Sequence, residues 1–474
     1  MRSLATTAEN VDMRAEGVER KCERPGAEAG GTPALGNTEI KKHPKVRGGF
    51  LTSDEEAKLA YSRKLWGLQG TLWEVTQSKR LAGCHRWRAP GSAVARLDWA
   101  SEKGARFGGL QDSHSVWASP VSAARIGKIR AEEIRTALKT WVGTADRKTG
   151  HDLAFLTLTL RHSKSDSLKS VWDTVSRAWA GVTQTAAWCG SAKVAGDKAK
   201  FGLVHFIKAV EVTHGKNGWH VHLHVLLLTQ KILSEQEKQE LESRIYSRWS
   251  AAAERRGFKA PTRERGVKLE VAAKAGDMDA LASYMAKSQL SGINGLADEL
   301  TGSVVKRAKG ENRSPFEVLE SLGEKKTPSD LAIWYEWEKN SHGRRQISWS
   351  KGAKNALGVN DLSDEEIVDG LDEEFAAAAY TVATISAGQW SKIQTDTDLR
   401  LAITEEVSKA RTAPAARKRA RRILEALEIE HASVLVPLAA ETKEPLPVNQ
   451  SQSREILSPG GAAPPSENAA QISP

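Results

Sequence analysis

The stretch Trp219-His220-Val221-His222-Leu223-His224-Val225-Leu226-Leu227-Leu228 constrains this chain more than any other. Histidines alternate with branched apolar residues and an apolar run follows, which is the period of a strand with one polar and one buried face. Three imidazoles therefore point the same way. Strand residues two apart lie about 6.5 to 7 Å apart, close enough for two imidazoles to share a cation at metal–nitrogen distances of about 2 Å. A strand whose histidines face water or satisfy one another is the plainer reading; three in register beside a leucine run favour a metal site.

The preceding run, Phe206-Ile207-Lys208-Ala209-Val210-Glu211-Val212-Thr213, also alternates, and His214-Gly215-Lys216-Asn217-Gly218 between the two carries turn chemistry. The pattern predicts a hairpin. A Lys216-Asn217 loop pairs position 211 with 222 and 213 with 220, whereas an Asn217-Gly218 loop pairs 211 with 224. Both put Glu211 on the histidine face; a three- or five-residue loop would turn it to the other. The candidate ligands are thus His222 and His224, with His220 as a further histidine and Glu211 as a conditional carboxylate. Two histidines and a carboxylate with open positions suit a catalytic divalent ion rather than a closed structural one.

The chain has 474 residues, enough for two or three domains, with a formal charge of +10 and a pI near 9.3. That balance favours an acidic polymer as partner, nucleic acid before membrane. There is no run of eighteen apolar residues and no apolar core behind Met1-Arg2-Ser3-Leu4-Ala5, so a cytoplasmic protein is expected. Cys22, Cys84 and Cys189 are far apart and match neither a disulfide framework nor a CxxC knuckle.

In order along the chain, residues 1–50 offer almost no large apolar side chains and are expected to be disordered. Residues 51–145 form a tryptophan-rich region, irregular up to an amphipathic helix over 122–141 marked by Ile126, Ile129, Ile134, Leu138 and Trp141. Over 150–300 the pattern reads strand (153–160), helix (167–188), the hairpin, a helix opened by the Ser234/Glu237 capping box, strand (267–271) and helix (277–288). The fold class is α+β, a largely antiparallel sheet with helices packed on it. Residues 301–435 read as a helical basic region: short helices from Pro315 and Pro328, then Gly343-Arg344-Arg345-Gln346-Ile347-Ser348-Trp349-Ser350, an acidic helix over 361–380 and a basic helix over 415–427. Arg344, Arg345 and Trp349 are candidates to bind phosphate and stack on a base, or a surface turn with one packed indole. The basic helix is either a phosphate-contacting arm or a solvated face. The tail, 436–474, is expected to be disordered.

A metal on a basic protein needs a reacting group, and the 277–288 helix offers Tyr284, with Lys287 three residues on and on the same face. A phenol, with a pKa of about 10, becomes a nucleophile when a base, metal or cation favours its phenolate. Lys287 could stabilise that anion or hold a scissile phosphate.

A threonine-bearing strand from Phe155 to Arg161 (Thr157, Thr159), then His-hydrophobic-His before an apolar run, then Tyr-x-x-Lys on a helix, in that order, resembles the HUH-type rolling-circle replication initiators. The single tyrosine, the Asn-Gly-Trp-His lead-in, Arg313-Ser314-Pro315-Phe316-Glu317 and the 343–350 segment look most like their actinobacterial plasmid branch. The resemblance runs from about Cys84 to Leu357. It implies a nicking and joining enzyme: Tyr284 attacks one phosphodiester at the double-strand origin, keeps the 5′ phosphate and leaves a 3′ hydroxyl that primes a polymerase. The family's histidine pair maps best onto His222 and His224, with His220/His222 as the other frame. It also implies Mg2+ or Mn2+, contacts to DNA from Thr157, Thr159 and Arg161, plasmid origin DNA exposed as a single strand at the nick site, and a host helicase and polymerase as partners. Relatives often carry a Cys-rich, zinc-ribbon-like segment where this chain has Ser113 to Ser122, with serines for thiols, so no structural zinc is expected. A glutamate found in some relatives one turn before the tyrosine is Ala280 here.

Three other readings stand beside this one. A conjugative relaxase or single-strand transposase would use the same chemistry, although relaxases usually place the tyrosine before the histidines. A basic DNA-binding protein with structural histidines would have no chemistry. A small-molecule metalloenzyme fits the overall charge poorly.

Overall fold

A computed structural model of the protein describes residues 53–143, 150–271, 278–287, 312–426 and 436–437. The disorder expected at 1–50 and over the tail lies outside them, apart from Val436–Pro437, which pairs as a short strand. The architecture is α+β, built on two antiparallel sheets packed by helices.

The larger sheet has the strand order β6-β3-β5-β4-β7: Val267–Val271 (β6), Asp152–Thr159 (β3), Gly218–Thr229 (β5), Leu203–Gly215 (β4) and Ile347–Trp349 (β7). Every neighbouring pair is antiparallel. The hairpin takes the Lys216-Asn217 loop, so Glu211 faces His222 and Thr213 faces His220. Gly218 follows that turn at φ +83°, a left-handed position, and a Cβ there would sit 3.1 Å from the Lys164 backbone.

Alternation gives this sheet two different faces. On one, Leu156, Leu158, Val221, Leu223, Val225 and Leu227 are buried with Trp172 and Trp249. Those tryptophans come from the helices Leu168–Thr183 and Glu235–Glu254, whose N-caps Ser167 and Ser234 each accept a backbone N–H; the second completes the foreseen capping box. Each buried leucine or valine contributes about 1.5 to 3 kcal/mol of transfer free energy. A one-residue slip would expose them and bury imidazoles, so the register is fixed. On the histidine face, Leu153, Ile207, Ala209, Leu226 and Leu228 pack against Ile134, Leu138 and Trp141 of the helix Pro120–Gly143 and Ala282 and Met285 of the helix Met278–Lys287. The apolar half of that face thus seats the helix that carries Tyr284.

The second sheet was not foreseen. Ala95–Ala100 (β1) and Gly104–Gly108 (β2) form a hairpin, β1 pairs with Tyr380–Ile385 (β8), and Val436–Pro437 (β9) completes the order β2-β1-β8-β9. Ala95-Arg96-Leu97-Asp98-Trp99 keeps the two-residue period of a strand, but its polar side is covered, and Asp98 is buried where Thr381 donates to it at 2.9 Å. One partner of β1 is the neighbouring β2, but the other, β8, lies far along the chain, with Thr381 283 residues beyond Asp98, out of reach of any local pattern. The region before 122 is also more regular than expected, opening with the helix Ser53–Val75. Among the described residues, no helix is long and apolar enough to cross a membrane.

Candidate metal and nucleophile site

The three histidines stand in a row on β5, with ring centroids 6.1 Å apart for His220 and His222 and 6.4 Å for His222 and His224. Their planes are nearly parallel, at 18° and 8°. The neighbouring β3 runs antiparallel in a register that sets Thr157 opposite His224 and Thr159 opposite His222. Thr159 Oγ1 lies 3.1 Å from His222 Nδ1, and Thr157 Oγ1 lies 3.4 Å from His224 Nδ1. Just past the strand, His162 Nε2 meets His220 Nδ1 at 2.8 Å. Each histidine of the row therefore has its Nδ1 engaged from the β3 side. That arrangement fixes ring orientation and commits Nε2 to the opposite side.

On that opposite side, Glu211 Oε2 is 2.7 Å from His224 Nε2 and the Tyr284 hydroxyl is 3.2 Å from the same nitrogen. Phe155 stacks on the His224 ring at 5.5 Å and meets the Tyr284 ring edge-on at 5.9 Å, closing the site from β3. Tyr284 itself is 39% exposed, while its hydroxyl contact with His224 is partly buried.

The electrostatics favour a cation. Burial pushes the Glu211 carboxyl up, but the hydrogen bond from His224 and the charges of His224 and His222 outweigh it and hold the group below the usual range. Burial drives His220 and His222 down to about 4, keeping both neutral near pH 7. Burial and then the Glu211 charge push the Tyr284 phenol upward. A half-buried carboxylate beside imidazoles is a donor set that a hard-to-borderline divalent ion takes, and Glu211, His222 and His224 offer that chemistry on one face, with Glu211 and His224 in contact and His222 the next ring along the strand.

The other residues singled out in the sequence are placed differently from one another. Lys287 ends the tyrosine helix, and its side chain lies outside the described residues. Thr157 and Thr159, expected to meet DNA, have their hydroxyls against the imidazoles of His224 and His222. Arg161 is exposed just beyond β3. Arg344 is engaged inside the protein: its guanidinium donates to Asp173 at 2.7 Å and lies over Trp172. Arg345 is exposed, and Trp349 is partly buried on the edge strand next to β4. Both line a groove of about 800 Å³ together with Arg80, Arg130, Lys351 and Lys354. His162 escaped the sequence reading. Only the β3–β5 register could have pointed to it, because no local spacing links positions 162 and 220.

A second group of donors lies elsewhere. Cys84, His85 and Asp112 bring one ligand atom each within 4.8 Å of one another and could hold a metal. The segment Ser113 to Ser122, with serines at 113, 115, 119 and 122 in place of thiols, carries the expectation of no structural zinc. Thiols are not the only donors there: the imidazole of His85 beside Cys84 and the carboxylate of Asp112 beside Ser113 complete the group. Cys84 is a buried free cysteine and Cys189 an exposed one.

Comparison with known proteins agrees with the motif order. A family model described as "Replication protein" matches residues 119–397. A curated "Protein rep" from Streptomyces lividans is 30% identical over 321 residues, 57% of this chain and 68% of that protein. No solved structure matches. Since the family match takes in more than half of the chain, including β3, the histidine row and the tyrosine helix, the chain belongs to the Replication protein family, in keeping with its resemblance to the rolling-circle initiators of actinobacterial plasmids.

Proposed function

We propose that this plasmid replication initiator nicks one strand of origin DNA through Tyr284 and later rejoins it. The observation that carries the reading is the meeting of Tyr284, His224 and Glu211 within hydrogen-bond distance on the histidine face. A divalent ion such as Mg2+ or Mn2+ held by Glu211, His222 and His224 would neutralise charge on the non-bridging oxygens of the scissile phosphate. His220 is the further candidate ligand, and Lys287, one turn past the tyrosine, is proposed to hold the phosphate.

In the cleavage step the Tyr284 oxygen forms the bond to phosphorus and the bond from phosphorus to the 3′ oxygen breaks. The proton leaving the phenol is matched by the one the 3′ hydroxyl gains. The product is a 5′-phosphotyrosine and a free 3′ hydroxyl able to prime synthesis; the same step in reverse rejoins the strand. Arg161, Arg345 and Trp349, with the groove on the β7 side, whose lining mixes arginines and lysines with Asp361, Asp364, Glu365 and Glu366, are proposed to hold single-stranded DNA, and Arg344 to brace that wall. A host helicase and polymerase would follow from this role, in the cytoplasm.

Purified protein incubated with Mn2+ and single-stranded DNA of its own origin should form a covalent adduct that Tyr284→Phe abolishes. Cleavage without an adduct would make it an ordinary metallonuclease. Binding with neither leaves only a DNA-binding protein with structural histidines.

A further inference from the structure

The helix Ala413–Ala426 carries Arg417, Lys418, Arg419, Arg421 and Arg422 against one carboxylate, Glu425. It lies beyond residue 397, where the family match ends. Its stripe of Ala416, Ala420 and Leu424, spaced by four, is fully buried in the core of the second sheet. That burial decides which face is left outward. Lys418, Arg421 and Arg422 are exposed there, and Arg411 is exposed in the four-residue turn that joins it to the helix Thr397–Ser408. Arg419 is committed to Glu406 and Arg421 lies 4.0 Å from Glu425. Among the described residues, no salt bridge engages Arg411, Lys418 or Arg422.

Two packed helices joined by a short turn, the second outward and basic, form a shape that enters a DNA groove. The apolar face is already used in the core, so the helix has nothing to insert into a membrane. It contains no aromatic residue, and single-stranded nucleic acid is gripped largely by stacking on aromatics. Its outward side chains are long cations without asparagine or glutamine, which suits phosphates better than base edges. We propose that this helix docks duplex DNA through its phosphate backbone, independently of base sequence, and so holds the chain on the duplex. The proposal shares with the nicking reading only the choice of DNA as the polymer.

The test is the full chain with Lys418, Arg421 and Arg422 all changed to alanine, its binding to an origin duplex and an unrelated duplex followed by fluorescence anisotropy across a salt series. Each phosphate left without its cation should reduce the slope of log affinity against log salt by about 0.9, so the slope should fall by about 2.7. Affinity near 0.15 M salt should drop on the order of 100-fold for both duplexes. Adduct formation on a single-stranded oligonucleotide should be unchanged, which separates this proposal from the role of Tyr284. Restoring charge as Arg421→Lys/Arg422→Lys should return the slope and exclude a folding defect. An unchanged slope, a loss confined to the origin duplex, or an equal loss on single strands would each overturn the proposal.

Discussion

Tyr284 and His224 meet at 3.2 Å across 60 residues of sequence, the phenol arriving from a helix and the imidazole from the central strand of a sheet. Glu211 sits on the same nitrogen of His224. In metal-free protein this holds the phenol neutral, because burial and the adjacent carboxylate both oppose phenolate. The folded value is raised above the ordinary value of about 10. As pH rises past that point the unfolded chain ionises first, and this tyrosine's contribution to stability is lost. In chelator, the difference in phenolate absorbance between wild type and Tyr284→Phe should therefore not develop by about pH 10, and Glu211→Gln should shift its onset downward. Ionisation of Tyr284 at its ordinary value in chelator would remove this coupling.

The two threonines of β3 provide a sharper test of the site. Thr157 and Thr159 engage the Nδ1 atoms of His224 and His222, and partners of that kind typically govern metal affinity by about 10 to 100-fold. Thr159→Val keeps the shape and removes the hydroxyl, so Mn2+ affinity measured by calorimetry should fall within that range. Thr159→Ser should restore it, and the melting temperature should move little in either variant. Equal Mn2+ affinity in Thr159→Val would make the hydroxyl a bystander.

Much of this was legible because the histidine strand alternates cleanly and the turn before it is short. Those two facts put Glu211 on the histidine face in either two-residue register and left only a longer loop to turn it away, and the Lys216-Asn217 loop settles the face. The helices opened by Ser234, Pro315 and Pro328 were legible for the same local reason, a cap or an N-terminal proline. What local patterns could not carry was pairing at a distance. The Thr–His contacts depend on the β3–β5 register, and the second sheet joins β1 to β8 through a buried Asp98–Thr381 contact 283 residues apart in sequence. The alternation of β1 is too short to tell from a surface segment until β8 is known to cover Asp98.

The histidine row should also set how stability responds to acid. His220 and His222 titrate at about 4 in the folded protein, against about 6.5 in the unfolded chain. Their folded values are depressed, so below about 6.5 the unfolded state gains protons that the folded state does not. Metal-free protein should lose stability as pH falls from about 6.5 to about 4. Urea unfolding at steps across that window should show a smaller loss in a His220→Asn/His222→Asn variant. Parallel pH curves for the two proteins would assign the acid sensitivity to other groups.

The second sheet is tied to the rest of the chain by a buried cation. Arg400, 2% exposed, has its guanidinium carbon 4.7 Å from the Trp66 ring, 5.5 Å from Trp73, 5.3 Å from Phe107 and 5.0 Å from Trp390. It donates to the His85 carbonyl at 2.7 Å and the Gln394 carbonyl at 3.1 Å. Burial pulls its pKa down to about 9, against the opposing pull of Cys84, so it remains a cation at neutral pH. The rings come from the first helix, β2 and the helix Ala387–Ile393, so one side chain gathers three separate elements. A desolvated cation–π contact is worth about 2 kcal/mol or more, and Arg400→Ala should lower the melting temperature by several degrees in calorimetry. Arg400→Lys should not rescue it, because an ammonium is more strongly hydrated and lacks the planar guanidinium that stacks on rings. Adduct formation on single-stranded DNA well below the melting temperature should survive, since the cage lies away from Tyr284 and His224. A melting temperature equal to wild type in Arg400→Ala would show that the rings hold these elements together without the charge.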